Sequence, residues 1–130
     1  MQNQRHSPRA EYRQQENQRV NDSANLAEKF HDLKSLTVDL AHFAPVSLAK
    51  TSEIKYTVNL AHAKAVFRVY CTNDECVGGD FDLSAALADA VAAHHTTASG
   101  EAICQGWRSK SSYDRTPCNN ILRYRLSLGY

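Results

Sequence analysis

The segment Ala65-Val66-Phe67-Arg68-Val69-Tyr70-Cys71 decides the reading of this chain, because a β-branched and aromatic run ends on a cysteine. Such a run reads as a strand that leads into a loop. Cys76 lies within that loop, ahead of Gly78-Gly79. Leu83 to His95 has helical spacing, and a helix leaving the top of a sheet returns the chain to the bottom. Ser99 to Cys104 then climbs back as the next strand. The polar stretch from Gln105 to Pro117 turns over at the top, and Cys118 opens the final strand. If the helix is a crossover, it joins two parallel strands in a right-handed connection. The topology thereby carries Cys71, Cys76, Cys104 and Cys118 to one end of one sheet.

Four thiols in one place point to a tetrahedral thiolate metal site. The spacing is C-x4-C, a helix-containing interval, then C-x13-C. Structural zinc takes four soft ligands in a closed tetrahedron, often with a first pair separated by two to four residues. Cys71 and Cys76 fit that spacing. Cys104 and Cys118 are too far apart for a single knuckle, so the strands flanking their shared loop must hold them side by side. Gly106 follows Cys104 closely, where a tight turn around sulfur needs a small residue. Thiolates favour zinc or iron–sulfur centres, and the expected cofactor is structural Zn2+, in a ribbon-like knuckle.

Other readings of the same residues stay open here. Cysteine is often a small buried hydrophobe, and four cysteines also allow three disulfide pairings. Met1-Gln2-Asn3-Gln4-Arg5-His6 contains no apolar h-region. A reducing, cytoplasmic location is therefore expected, where structural disulfides are rare. A redox dithiol would more naturally use a C-x-x-C pair, which the chain lacks.

The rest of the chain supplies a modest core. Its 130 residues are 42% hydrophobic with a net charge of +1, enough for one globular domain. No apolar run approaches the roughly 20 residues that span a bilayer. Residues 1–22 are polar, with Arg5, Arg9, Arg13 and Arg19 set against Glu11 and Glu16, and read as a flexible leader. Ser7-Pro8 is a plausible helix start within it, although a helix that is polar all round is marginal alone. Residues 23–130 form the expected domain. Asn25-Leu26-Ala27-Glu28 resembles a capping box for a short helix from Leu26 to about His31. Leu36, Val38 and Leu40 alternate as a half-buried strand should, and Ile54, Tyr56, Val58 and Leu60 repeat the pattern. A break around Ala61-His62-Ala63-Lys64 keeps the following strand separate. Asp82 is a plausible cap for the main helix, which has a narrow stripe of Leu83, Leu87, Val91 and small alanines. Leu122, Tyr124, Leu126 and Leu128 share one face of the last strand. The fold class is α+β: an antiparallel-rich sheet of about five strands in βββαββ order, one packed helix, and a four-cysteine metal knuckle at one sheet end.

Enzyme templates fit poorly. The sequence has no Gly-rich phosphate loop, G-x-S-x-G elbow or H-E-x-x-H helix. Glu75 beside Cys76 is acidic, but four thiolates leave a metal no open position for water. His42 and His62 close two similar stretches, Thr37–His42 and Thr57–His62, and read as polar strand ends. His94 and His95 fall at the helix end far from the cysteines.

Binding is the better-supported role. Trp107, Arg108, Lys110, Tyr113 and Arg115, continued by Arg123, Tyr124 and Arg125, put cations and rings together against one acid, Asp114. Cations for phosphate and rings for bases suit single-stranded nucleic acid. The expected function is a zinc-stabilised accessory module contacting nucleic acid or a ribonucleoprotein or protein complex. The alternatives are a protein-interaction domain using a sheet edge, and a thiol redox or metal-dependent enzyme.

Overall fold

A computed structural model of the chain describes residues 8–73, 76–108 and 116–130, with side chains from residue 11 onward. The fold is α+β with antiparallel sheets and few helices. Helices α1 (Pro8–Asn21) and α2 (Leu26–Lys29) precede strands β1 (Ser35–Phe43) and β2 (Lys50–Thr57). Two-residue strands follow at β3 (Arg68–Val69), β4 (Cys76–Val77) and β5 (Phe81–Asp82). Helix α3 (Ser84–Ala92) leads to β6 (Thr97–Ile103), then β7 (Trp107–Arg108), β8 (Thr116–Pro117) and β9 (Ile121–Gly129).

The main sheet has the order β2-β1-β9-β6. Register places Leu36, Val38, Leu40 and His42 of β1 opposite Leu128, Leu126, Tyr124 and Leu122 of β9. Because side chains alternate along a strand, these residues share the core face, where α2 contributes Leu26 and α3 contributes Leu87, Ala90 and Val91. Gly100 faces Tyr124 from β6. A Cβ there would lie 2.5 Å from the Tyr124 hydroxyl, so the bare backbone makes room for the ring.

Long-range pairing reshapes several local expectations. Ala65, Phe67, Val69 and Cys71 are buried in alternation, yet only Arg68–Val69 is ladder-paired, with Phe81–Asp82. The Ala65 N–H donates to Ala24 O, Val66 to Ser23 Oγ and Phe67 to Ser84 Oγ. Those amides are committed to partners outside the main sheet, so this stretch does not join it. The expected parallel crossover is absent as well: every strand pairing among the described residues is antiparallel. Ile54 and Tyr56 lie on the core side of β2 but stay 52% and 38% exposed, because the covering layer stops short of this edge.

The caps also differ in detail. Asn25 precedes α2, but its amide donates to Ala61 O and leaves the helix amides alone. Leu83 occupies the cap position of α3, while Asp82 Oδ1 accepts from Ser84 N at 2.9 Å. At the other end His94 takes φ 52°, and His94 N and His95 N donate to Val91 O and Ala90 O. This is a left-handed helix stop that satisfies two terminal carbonyls. Helix α1 begins at Pro8 inside the polar stretch 1–22, and its side chains dock on residues 68–82.

Candidate metal centre

Four chain segments meet where β1 and β6 end and β9 begins. Cys104 follows β6 directly, and its N–H donates to Asn120 O at 2.8 Å; the Cys118 N–H donates to Gly106 O at 3.0 Å. These two bonds hold the second cysteine pair across the mouth of the long loop. The small sheet β4-β7-β8 then ties Cys76 to the same loop, opposite Arg108. Cys71 arrives at the end of the buried alternating stretch.

The result is a compact cage. All four cysteines are buried, and their sulfurs lie within 4.8 Å of one another. Cys71 and Cys118 are 3.7 Å apart, and Cys76 and Cys104 are 3.4 Å apart. Both separations far exceed the ~2.05 Å of a disulfide bond. Zinc–sulfur bonds of about 2.3 Å in a tetrahedron give sulfur–sulfur edges of about 3.8 Å, so the spacing suits one tetrahedral ion.

Glycines make the cage possible. A Cβ on Gly79 would fall 1.9 Å from Cys76 Sγ and 2.3 Å from Cys104 Sγ. A Cβ on Gly106 would meet Val77 O at 2.3 Å and Gly79 Cα at 2.7 Å. Bare backbone at both positions lets the two knuckle strands close around sulfur. Amide donors finish the shell: Asn73 Nδ2 reaches Cys118 Sγ and Asn120 Nδ2 reaches Cys71 Sγ, each at 3.5 Å.

The thiols share their protons unequally. Hydrogen bonds from Cys104 and then Cys76 hold Cys71 far below the ordinary thiol range, at about 2. Cys76 is pushed up, chiefly by its partnership with Cys104, and Cys104 rises to about 12, chiefly because it donates to Cys71. Four adjacent thiolates in a buried site need a cation to balance them.

Neighbouring groups were not legible as site residues from spacing. His42 continues the core-face parity of Leu36, Val38 and Leu40, and is buried beside Phe81, with ring centroids 5.9 Å apart. Its Nδ1 has no hydrogen-bond partner among the described residues. Burial lowers its pKa, with the charge of Cys71 acting in the opposite direction. His62 lies exposed in the turn after β2, so the two similar stretches do not form a histidine pair.

The expected contact residues divide. Trp107 and Arg108 are half-buried on β7, and the Trp107 ring passes over Gly78. Lys110, Tyr113 and Arg115 lie outside the described residues, as does Glu75. Arg123 and Arg125 project from the sheet face opposite the core, while Tyr124 points inward, so alternation removes Tyr124 from the basic patch. Arg123 is also engaged, pairing with Glu101 at 2.8 Å and covering the Phe43 ring.

Helix α1 rests against the centre. The Arg13 guanidinium donates to Cys71 O at 3.4 Å, and Arg68 donates to the Tyr12 hydroxyl at 3.1 Å. Arg68 also faces Glu16, Asp80 and Asp82 at 3.6 to 3.8 Å. Burial raises the Asp80 pKa, against the pull of Arg68 and Arg13. No helix among the described residues is long and apolar enough to cross a membrane. Comparison with known proteins gives no match to a protein-family model, a curated protein or a solved structure.

Proposed function

We propose that this protein is a zinc-stabilised binding module in which Cys71, Cys76, Cys104 and Cys118 hold one Zn2+ in a closed structural site. The observation that carries this reading is the cage of four buried sulfurs within 4.8 Å. Four thiolates complete the coordination of a tetrahedral ion, leaving it to stabilise the fold with no position open to water. A tetrahedral sulfur set also accepts iron. The ion of this reading is zinc, in a reducing, cytoplasmic setting that keeps the sulfurs unlinked.

The module's role is contact with nucleic acid or a ribonucleoprotein complex through residues 105–117. Two features support it. The loop has the cation and ring composition of a single-strand contact, including Lys110, Tyr113 and Arg115. An open hollow of about 390 Å³ adjoins the centre, lined by Gln105, Trp107, Pro117 and Asn119 among others. Residues 23–130 are taken as the module proper, with helix α1 docked on it.

Elemental analysis of the purified full chain tests the metal. One zinc per chain, lost together with folded structure on chelation, is the expected result; visible absorption from bound iron replaces zinc in this reading, and metal-free folded protein removes the centre. Titration with single-stranded RNA tests the contact. Affinity should fall steeply with salt and drop when Arg108, Lys110 and Arg115 are replaced together. Unchanged affinity in that variant excludes the loop.

A further inference from the structure

Strand β2 is an edge of the main sheet. Its hydrogen-bond parity follows from one bond and the register. Val58 N donates to Leu36 O at 2.8 Å, and β1 aligns Leu40 with Ile54 and Val38 with Tyr56. Antiparallel ladders alternate bonded and non-bonded pairs, so Ile54 and Tyr56 direct their backbone groups toward β1. Glu53, Lys55 and Thr57 direct theirs away from the sheet. Among the described residues these outward groups meet no other backbone.

The side chains of this edge are complementary to themselves. Ile54 and Tyr56 are the exposed apolar residues on its core side. Glu53 and Lys55 flank Ile54 on the opposite face, and Glu53 holds Lys50 at 2.7 Å. If two copies pair antiparallel about a two-fold axis at Ile54, Glu53 of each stands across from Lys55 of the other. The outward backbone groups then fall into bonded pairs, and Ile54 meets Ile54 at a non-bonded position, where side chains approach most closely. Moving the axis by one residue sets Glu53 against Glu53 or Lys55 against Lys55. Like charges directly opposite are destabilising and opposite charges favourable, so the Ile54 register is preferred over its two neighbours, and it is the one that sets each Glu53 against a Lys55.

We propose that β2 is a self-association surface, pairing with β2 of a second copy about a two-fold axis at Ile54 to form one continuous eight-stranded sheet. Charged residues on an edge commonly block such pairing. Here, their opposite signs two residues apart make an identical edge the matching partner. The association buries Ile54 and Tyr56 of both copies and is independent of the metal assignment.

Sedimentation of the full chain across the micromolar range tests the surface. Wild-type protein should double its mass as concentration rises. Glu53→Lys and Lys55→Glu should each stay monomeric, since each sets like charges opposite one another. An equimolar mixture of the two should recover the doubled mass, because every Glu then faces a Lys. A wild-type chain that stays monomeric, or single variants that associate as well as wild type, overturns the proposal. A second readout needs no variant: zero-length carbodiimide coupling of mixed light and heavy-isotope chains should join Glu53 of one copy to Lys55 of the other. Absence of that mixed-isotope peptide also overturns it.

Discussion

Gly79 faces Cys76 so closely that a methyl group on its Cα would lie 1.9 Å from the sulfur. Cys104 Sγ would stand only 2.3 Å away as well, so relieving the overlap means displacing two of the four sulfurs. Gly79→Ala should therefore open the cage, and stoichiometric metal should be lost. Gly78→Ala is the control. Gly78 has φ +68° and a nearest Cβ neighbour at 3.3 Å, so it should cost roughly 1–2 kcal/mol of backbone strain and retain metal. Equal metal content in the two variants would contradict the cage geometry.

Chelation should release helix α1. The helix has little apolar surface, and isolated polar helices of this length are marginal. Its side chains dock through Cys71 O, Arg68, Tyr70 and Asp82, on the same stretch that supplies two cysteines. Loss of the ion loosens that stretch and removes the docking surface. Trypsin should then cut after Arg13 and Arg19 faster, and amide exchange across 11–21 should accelerate. Identical rates with and without metal would show that docking is independent of the centre.

Asp82 should contribute stability that disappears in acid. Burial tends to raise its pKa, but hydrogen bonds from Ser84 and the charges of Arg68 and Arg19 outweigh it, leaving the carboxyl below its ordinary range. A carboxyl held low in the folded state stabilises above its unfolded pKa near 3.9, and loses that contribution as pH falls through the folded value. Asp82→Asn should cost less than about 1 kcal/mol at pH 7, since the group is 40% exposed and screened by solvent. The gap to wild type should close below about pH 4. Urea unfolding of both proteins at several pH values reads the difference, and a gap that widens in acid would reverse the assignment.

Gly100→Ala should strain the main sheet, because the new Cβ would meet Tyr124 at 2.5 to 2.8 Å. The expected loss is about 1–3 kcal/mol. Shortening the opposing side chain with Tyr124→Val should recover part of it, so the double variant should be more stable than the sum of the single effects predicts. Simple additivity would mean that the two residues do not share this space.

The alternating residues Leu36, Val38 and Leu40 and the stripe Leu87 and Val91 were legible in the sequence because each follows from local periodicity; the four cysteines do meet, but not by the expected route, because the stretch that delivers Cys71 is not a strand of the main sheet. Periodicity could not show that the amides of Ala65, Val66 and Phe67 bond to Ala24, Ser23 and Ser84. Those partners are distant in sequence, and they exclude the stretch from the sheet and replace the expected parallel crossover with antiparallel pairing. Spacing likewise identified Cys71, Cys76, Cys104 and Cys118, but it could not reveal the bare backbone of Gly79 or the amides of Asn73 and Asn120 around them. Residue chemistry and chain direction thus determined which atoms were available to the centre. Tertiary packing decided their distances, because close approach and burial arise only when segments remote in sequence occupy the same space.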